Sequence, residues 1–159
     1  MGSSKTAQVL ITKFNYEERG MRVFLIKPEI DTRDGKDVIR SRIGLSATAV
    51  CIPKDGNIEQ IYEKDKKKYD VIIADECQFF TKEQIDSLRA IVDLYNIPVL
   101  CFGLRTDFLT HLFPGSARLF EVADSIAEIK TICECGAKAT VNARLNAKGQ
   151  IVSEYSDSK

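Results

Sequence analysis

Neither acidic nor basic residues dominate: Lys plus Arg and Asp plus Glu number 23 each, so no global positive field recommends a nucleic acid or an anionic membrane as partner. No uninterrupted apolar stretch approaches the roughly 20 residues of a bilayer span, and the opening MGSSKTAQ has none of the apolar core of a secretory signal. A soluble, cytoplasmic chain is expected. Proline and glycine are sparse at 4 and 9, and with 44% hydrophobic and 29% charged residues the composition excludes wholesale disorder. A length of 159 residues suits one domain with a small appendage and excludes two large ones. The cysteine count is odd, 5, and Cys51, Cys77 and Cys101 stand singly in or beside apolar segments, which argues against a disulfide scaffold. Only Cys133 and Cys135 are close enough to share work.

The apolar pattern then sets out the elements. Ala7, Leu10, Ile11 and Phe14 recur at helical spacing between positions 4 and 19, and Gly20 is a natural helix stop. Residues 21–27 (MRVFLIK) read as a buried strand, followed by a long polar loop to about Ser46, a length that is usually functional. A short strand over 47–52 and a helix from about Asn57 into EKDKKK come next; the lysines suit a helix carboxyl end, and the charge run reads as a solvated face rather than a nucleic-acid site. DVIIA at 70–74 is a second buried strand. Thr81 and Gln84 form a capping box ahead of a helix through Ile85, Leu88, Val92 and Tyr95, and 98–104 (PVLCFGL) is a third apolar strand. Strands alternating with helices call for an α/β fold, a parallel sheet with helices on both faces, over residues 1–124. From 125 to 159, IAEIKTI, KATVNARL and 149–153 are strand-like pieces around the cysteine pair, a small β appendage.

Three fragments carry candidate chemistry. Gly2, Ser3, Ser4, Lys5 and Thr6 open the first helix, where backbone amides cradle phosphates, a lysine meets the β and γ phosphates and a hydroxyl binds magnesium. Ser4 stands where the usual loop has glycine, and read alone a serine-capped helix explains the same residues. Asp75 and Glu76 end an apolar strand, the position of a magnesium-organising carboxylate, although an aspartate that merely caps the turn fits equally. Strand alternation puts Glu76 on the side opposite Asp75, where it is available as a general base to an acceptor hydroxyl. Cys133 and Cys135 with Gly136 look like half of a zinc knuckle, or else two reduced thiols in a turn.

Together the blocks MGSSKT, VFLIKPEIDTRDG, IIADECQFF, GLRTDF with PGSARLFEVAD, and KTICECGAKATVNARL resemble, in order and spacing, the bacterial and animal cytosolic type of thymidine kinase. The Cys-x-Cys spacing and the MGSSKT loop are closer to its bacterial members. The resemblance implies a P-loop-type fold with a zinc-binding β appendage, and phosphoryl transfer from ATP to the 5′-hydroxyl of thymidine in nucleotide salvage. It implies Lys5 and Thr6 on phosphate and magnesium, a backbone cradle from Gly2, Ser3 and Ser4, and Asp31 and Arg33 reaching the phosphates from the long loop. It also implies Asp75 on the magnesium water shell, Glu76 as catalytic base, and Gln78 beside them. Met1, Phe79, Leu104, Phe108, Phe113 and Asn142 would line the nucleoside pocket, and Cys133 and Cys135 would be the first two zinc ligands. A homotetramer using MgATP and thymidine, without nucleic acid or membrane partners, is implied as well. Family members have a strand ahead of the phosphate loop, and a closing segment with a second ligand pair behind the appendage. The 159 residues are therefore expected to be the middle of a slightly longer enzyme. Two other readings are a noncatalytic remnant that binds nucleotide weakly and a generic ATPase.

Overall fold

The computed structural model describes residues 4–29, 37–133 and 135–153. Helix α1 (Lys5–Glu18) precedes strand β1 (Val23–Pro28); β2 (Val38–Arg40), β3 (Ser46–Thr48) and β4 (Val50–Ile52) follow, then α2 (Ile58–Lys64) and β5 (Val71–Ala74). A 3₁₀ turn (Cys77–Phe79), α3 (Lys82–Tyr95), β6 (Val99–Cys101), α4 (Pro114–Val122), β7 (Thr131–Ile132) and β8 (Lys138–Ala139) complete the order. Four strands form one parallel sheet in the order β4-β1-β5-β6, with Ile26 opposite Ala74 and Ala74 opposite Cys101. No helix among the described residues is long and apolar enough to cross a membrane.

Period-2 geometry explains why β1 and β5 are continuously apolar. Phe24, Ile26, Ile72 and Ala74 point to one face and pack with Ile58 and Tyr62 of α2 and Ile85, Leu88 and Ile91 of α3. Leu25, Val71 and Ile73 point to the other face, against Val9 and Leu10 of α1. Each fully buried aliphatic side chain contributes roughly 1.5–3 kcal/mol, so these two layers hold the sheet between its helices.

Local signals start and stop the helices largely as expected. Gly20, at φ 76°, terminates α1 in the left-handed region that lacks a Cβ penalty. Asn57 caps α2 by accepting from the Gln60 N–H at 3.0 Å. Thr81 and Gln84 form the full reciprocal box on α3, and the Gln84 amide also donates to the carbonyls of Pro53 and Gly56, tying the loop before α2 to the start of α3.

Several expectations need correction. The apolar spacing marks α1 but not its buried face: Ile11 and Phe14 are 46% and 58% exposed and border a groove with Leu45, and Val9 joins Leu10 in the core. Helix α3 runs through to Tyr95 as expected, with its buried stripe continuing through Ile91 and Tyr95 itself exposed. The long loop contains β2, which pairs antiparallel with β3. The single strand expected over 47–52 is thus two strands in different sheets, divided at buried Ala49, whose N–H is taken by the Asp37 carbonyl at 2.9 Å. Helix α4 was not foreseen: nine residues are too few for a strong period, and its one clear signal is Pro114 at the first position. Among the described residues the β appendage is slight, a hairpin of two two-residue strands plus one bridge between Leu145 and Ile151.

Thr81→Ala removes the hydroxyl that accepts the Gln84 N–H at 3.2 Å. The substitution is expected to lower stability by about 1 kcal/mol, read as a lower urea midpoint at unchanged slope.

Candidate functional site

Strands β1 and β5 are neighbours whose onward connections run to opposite sides of the sheet, β1 toward β4 and β5 toward β6. Such a reversal opens a crevice outside the carboxyl ends of the strands, where open α/β sheets bind ligands. Asp75 and Glu76 leave β5 at that point. The connection leaving β1 leads to Asp31 and Arg33, which lie outside the described residues, as do Met1, Gly2 and Ser3.

The amino end of α1 delivers Lys5 to the same place. Lys5 is 5% exposed, and its Nζ lies 2.8 Å from Glu76 Oε2 and 3.9 Å from Asp75 Oδ1. The expectation that Glu76 faces the side opposite Asp75 is therefore overturned: both carboxylates face one ammonium. The cause is the backbone. Glu76 has φ 52° and ψ 36°, so strand alternation ends at Asp75 and the chain swings its next side chain to the same side. Asp75 stabilises this turn by accepting the Glu76 N–H at 2.8 Å, and the Cys77 N–H returns to the Phe102 carbonyl at 2.9 Å. Ser4 precedes the helix without a side-chain capping hydrogen bond, so a simple serine cap does not account for this helix start. Half-buried Thr6 follows Lys5 in the first turn.

Gln78 connects the acidic pair to the next loop. Its amide nitrogen donates to Glu76 Oε2, and its oxygen accepts the Leu104 N–H at 3.1 Å. This orientation is chemically forced, because a carboxylate only accepts and a backbone N–H only donates. Phe79, on the same turn, meets Phe113 edge to face with ring centroids 5.7 Å apart. Asn142 reaches from the appendage to the Thr106 carbonyl at 3.4 Å, and Arg144 lies 5.6 Å from the centre of the Phe108 ring. Of the expected nucleoside-pocket residues, the five within the described residues, Phe79, Leu104, Phe108, Phe113 and Asn142, are thus gathered around one loop, 104–113, with one end held by the acidic turn and the middle touched by the appendage.

Two glycines set how closely these parts approach. A Cβ on Gly115 would fall 2.3 Å from the Cys77 carbonyl oxygen and 2.7 Å from that of Phe80, so only glycine lets α4 sit on the acidic turn. A Cβ on Gly103 would come 2.9 Å from Gln78 Oε1. Sequence reasoning assigned neither glycine, nor Ser116, a role. A glycine's close approach leaves no trace in hydropathy, and a serine inside an unforeseen helix gives no periodic signal.

The chain matches the family model described as thymidine kinase over residues 1–155. It belongs to the thymidine kinase family. The thymidine kinase of Enterobacteria phage T4 is 44% identical over 156 residues, covering 97% of this chain and 81% of that protein. That of Legionella pneumophila (strain Paris) is 45% identical over 157 residues, 97% of this chain and 75% of its own. That of Yersinia pestis is 44% identical over 154 residues, covering 96% and 79% respectively. With family membership established, the α/β sheet, the acidic turn and the loop 104–113 form the frame of a thymidine kinase domain.

The hairpin β7–β8 carries Cys133 and Cys135 exposed at its turn, where the Cys133 N–H bonds the Ala137 carbonyl and the Gly136 N–H bonds the Cys133 carbonyl, both at 2.8 Å. The backbone at Ala137 and the neighbouring Cys133 thiol hold the Cys135 thiol below its usual range. Burial and the adjacent Cys101 thiol push Cys77 well above it. Two thiol donors suit a soft cation and fill half of a four-ligand zinc site; no group of three or more metal-binding side chains occurs among the described residues. Because the thiolate is the reactive form, iodoacetamide at neutral pH is expected to modify Cys135 before Cys77. Peptide mapping by mass spectrometry after brief exposure checks the order.

Proposed function

We propose that this thymidine kinase domain transfers the γ-phosphoryl group of MgATP to the 5′-hydroxyl of thymidine, giving dTMP and ADP. The observation that carries the reading is the convergence of Lys5, Asp75 and Glu76 within 4 Å at the switch point of the sheet, from two separate elements. Glu76 accepts the proton of the 5′-hydroxyl, the freed oxygen attacks the γ-phosphorus, and the bond to the β-phosphate bridging oxygen breaks. Lys5 neutralises the phosphates, while Thr6 and Asp75 receive the magnesium that arrives with the nucleotide. Gly2, Ser3 and Ser4 cradle the phosphates, and Asp31 and Arg33 add charge from the connection after β1. Phosphoryl transfer asks for positioning and charge neutralisation more than covalent chemistry, so this small set suffices.

The Lys5–Glu76 contact has a role in the order of events. In the structure the Lys5 ammonium occupies the base directly, 2.8 Å from the Glu76 carboxylate. Nucleotide phosphates draw the same ammonium toward themselves, releasing Glu76 as ATP binds. Phe79, Leu104, Phe108, Phe113 and Asn142, with Met1, enclose the nucleoside, Phe108 presenting an aromatic face to the pyrimidine. Cys133 and Cys135 supply two thiolates to a structural zinc, homotetramers are the working assembly, and the protein acts in the cytoplasm. Zinc content per chain and light scattering test the metal and the assembly.

Incubating the purified chain with ATP, magnesium and thymidine should yield dTMP; ATP hydrolysis that does not need thymidine would overturn the reading. Glu76→Gln is expected to lower kcat by roughly 10²- to 10⁴-fold. Lys5→Ala should raise the KM for ATP and lower kcat/KM by roughly 10²-fold. Near-normal turnover in the first variant would remove Glu76 from the reaction.

A further inference from the structure

Ser116 lies outside the acidic turn, yet it is a buried hydroxyl, 5% exposed, at the third position of α4. A serine there ordinarily serves its own helix or faces water. This one leaves its helix and donates to the Leu104 carbonyl at 2.5 Å. The N–H of the same residue, Leu104, is taken by Gln78 Oε1 at 3.1 Å, and the other end of the Gln78 amide donates to Glu76 Oε2. Leu104 is therefore gripped on both sides, once by α4 and once by the side chain that touches the base. The glycine on each side of this path enforces the spacing: Gly115 seats α4 on the carbonyls of the acidic turn, and Gly103 leaves room for the Gln78 amide.

We propose that Ser116 is a positioning residue for phosphoryl transfer, acting through Leu104 and Gln78 to fix the Glu76 carboxylate relative to the nucleoside pocket. The inference rests on the thymidine kinase reading above. Without the hydroxyl, the Leu104 carbonyl loses its donor and the loop start relaxes. The Gln78 amide follows, because its oxygen has its partner on that loop. Glu76 then loses directional restraint from its amide donor, while Lys5 continues to supply charge. A base misplaced by a fraction of an ångström costs rate rather than nucleotide affinity.

Ser116→Ala is expected to lower kcat about tenfold with the KM for ATP essentially unchanged, and Ser116→Thr, which keeps the hydroxyl, to recover most of the loss. In a Glu76→Gln background the same Ser116→Ala substitution should cost little further, because the group it positions no longer acts as a base. An equal loss in both backgrounds, or unchanged kcat, would overturn the proposal. A second readout does not depend on turnover: the Gln78 side-chain amide signals in a ¹⁵N-labelled chain, assigned through Gln78→Leu, should move in both Ser116→Ala and Glu76→Gln. Unmoved signals in Ser116→Ala refute the connection even if the chain makes no dTMP, whereas moved signals without dTMP leave the connection standing and refute only the functional reading.

Discussion

One backbone choice shapes the whole site: the left-handed conformation of Glu76 immediately after β5. A non-glycine residue held there costs on the order of 1–3 kcal/mol and persists only where its surroundings over-determine it. Here they do. Asp75 binds the Glu76 N–H, the Phe79 N–H bonds the Glu76 carbonyl at 3.0 Å, and the Cys77 N–H is taken by Phe102 beyond β6. The gain is chemical: two consecutive carboxylates that a strand would send to opposite faces are aimed into a single crevice. Lys5 then meets both. Charges this deeply buried, 3% to 7% exposed, are tolerable only when paired and hydrogen-bonded, and the contacts of Lys5 and Gln78 meet that condition.

The sheet supplies the rigidity on which this turn depends. Because β1 and β5 are central and buried on both faces, their carboxyl ends are fixed by two independent packing layers. Side chains carried at such ends hold their geometry better than side chains on free loops. The loop 104–113 gains order in a different way, through point contacts. Asp107 accepts the N–H groups of Leu109 and His111 at 2.8 and 3.1 Å, Thr106 bridges Leu112, and Ser116 and Gln78 hold its first residue. Such a loop is ordered by a few polar links rather than by a core.

Much of this was legible in the residues. Continuous apolar runs at 21–27 and 70–74, each bounded by turn or charged residues, led directly to β1 and β5, and the capping residues Asn57, Thr81 and Gln84 mark their helices correctly. The motifs single out Lys5, Asp75 and Glu76, the family resemblance adds Gln78, and the structure brings all four together. What stayed hidden depends on three-dimensional approach. The side on which Glu76 emerges is decided by one φ angle, which no periodicity encodes. The burial of Val9 in place of Phe14 follows from how α1 lies against the sheet, since both residues fit an apolar helix pattern. Gly103 and Gly115 are silent in any pattern, because what matters is the Cβ they lack.

Cys77 shows how closely packing and chemistry are interleaved in this turn. It stands between Glu76 and Gln78, so a reactive role for its thiol is a natural first thought. The surroundings argue otherwise. Its Sγ donates to the Ala74 carbonyl at 3.2 Å, the side chain is fully buried in the main core cluster, and burial raises its pKa away from the thiolate. Above it, Gly115 already rests on the carbonyls of the turn at a spacing that excludes even a methyl group. A larger side chain at 77 has no free space to enter, because the thiol is fully buried in the main core cluster beside Cys101 of β6. The small, polarizable thiol therefore fills the base of the turn as packing.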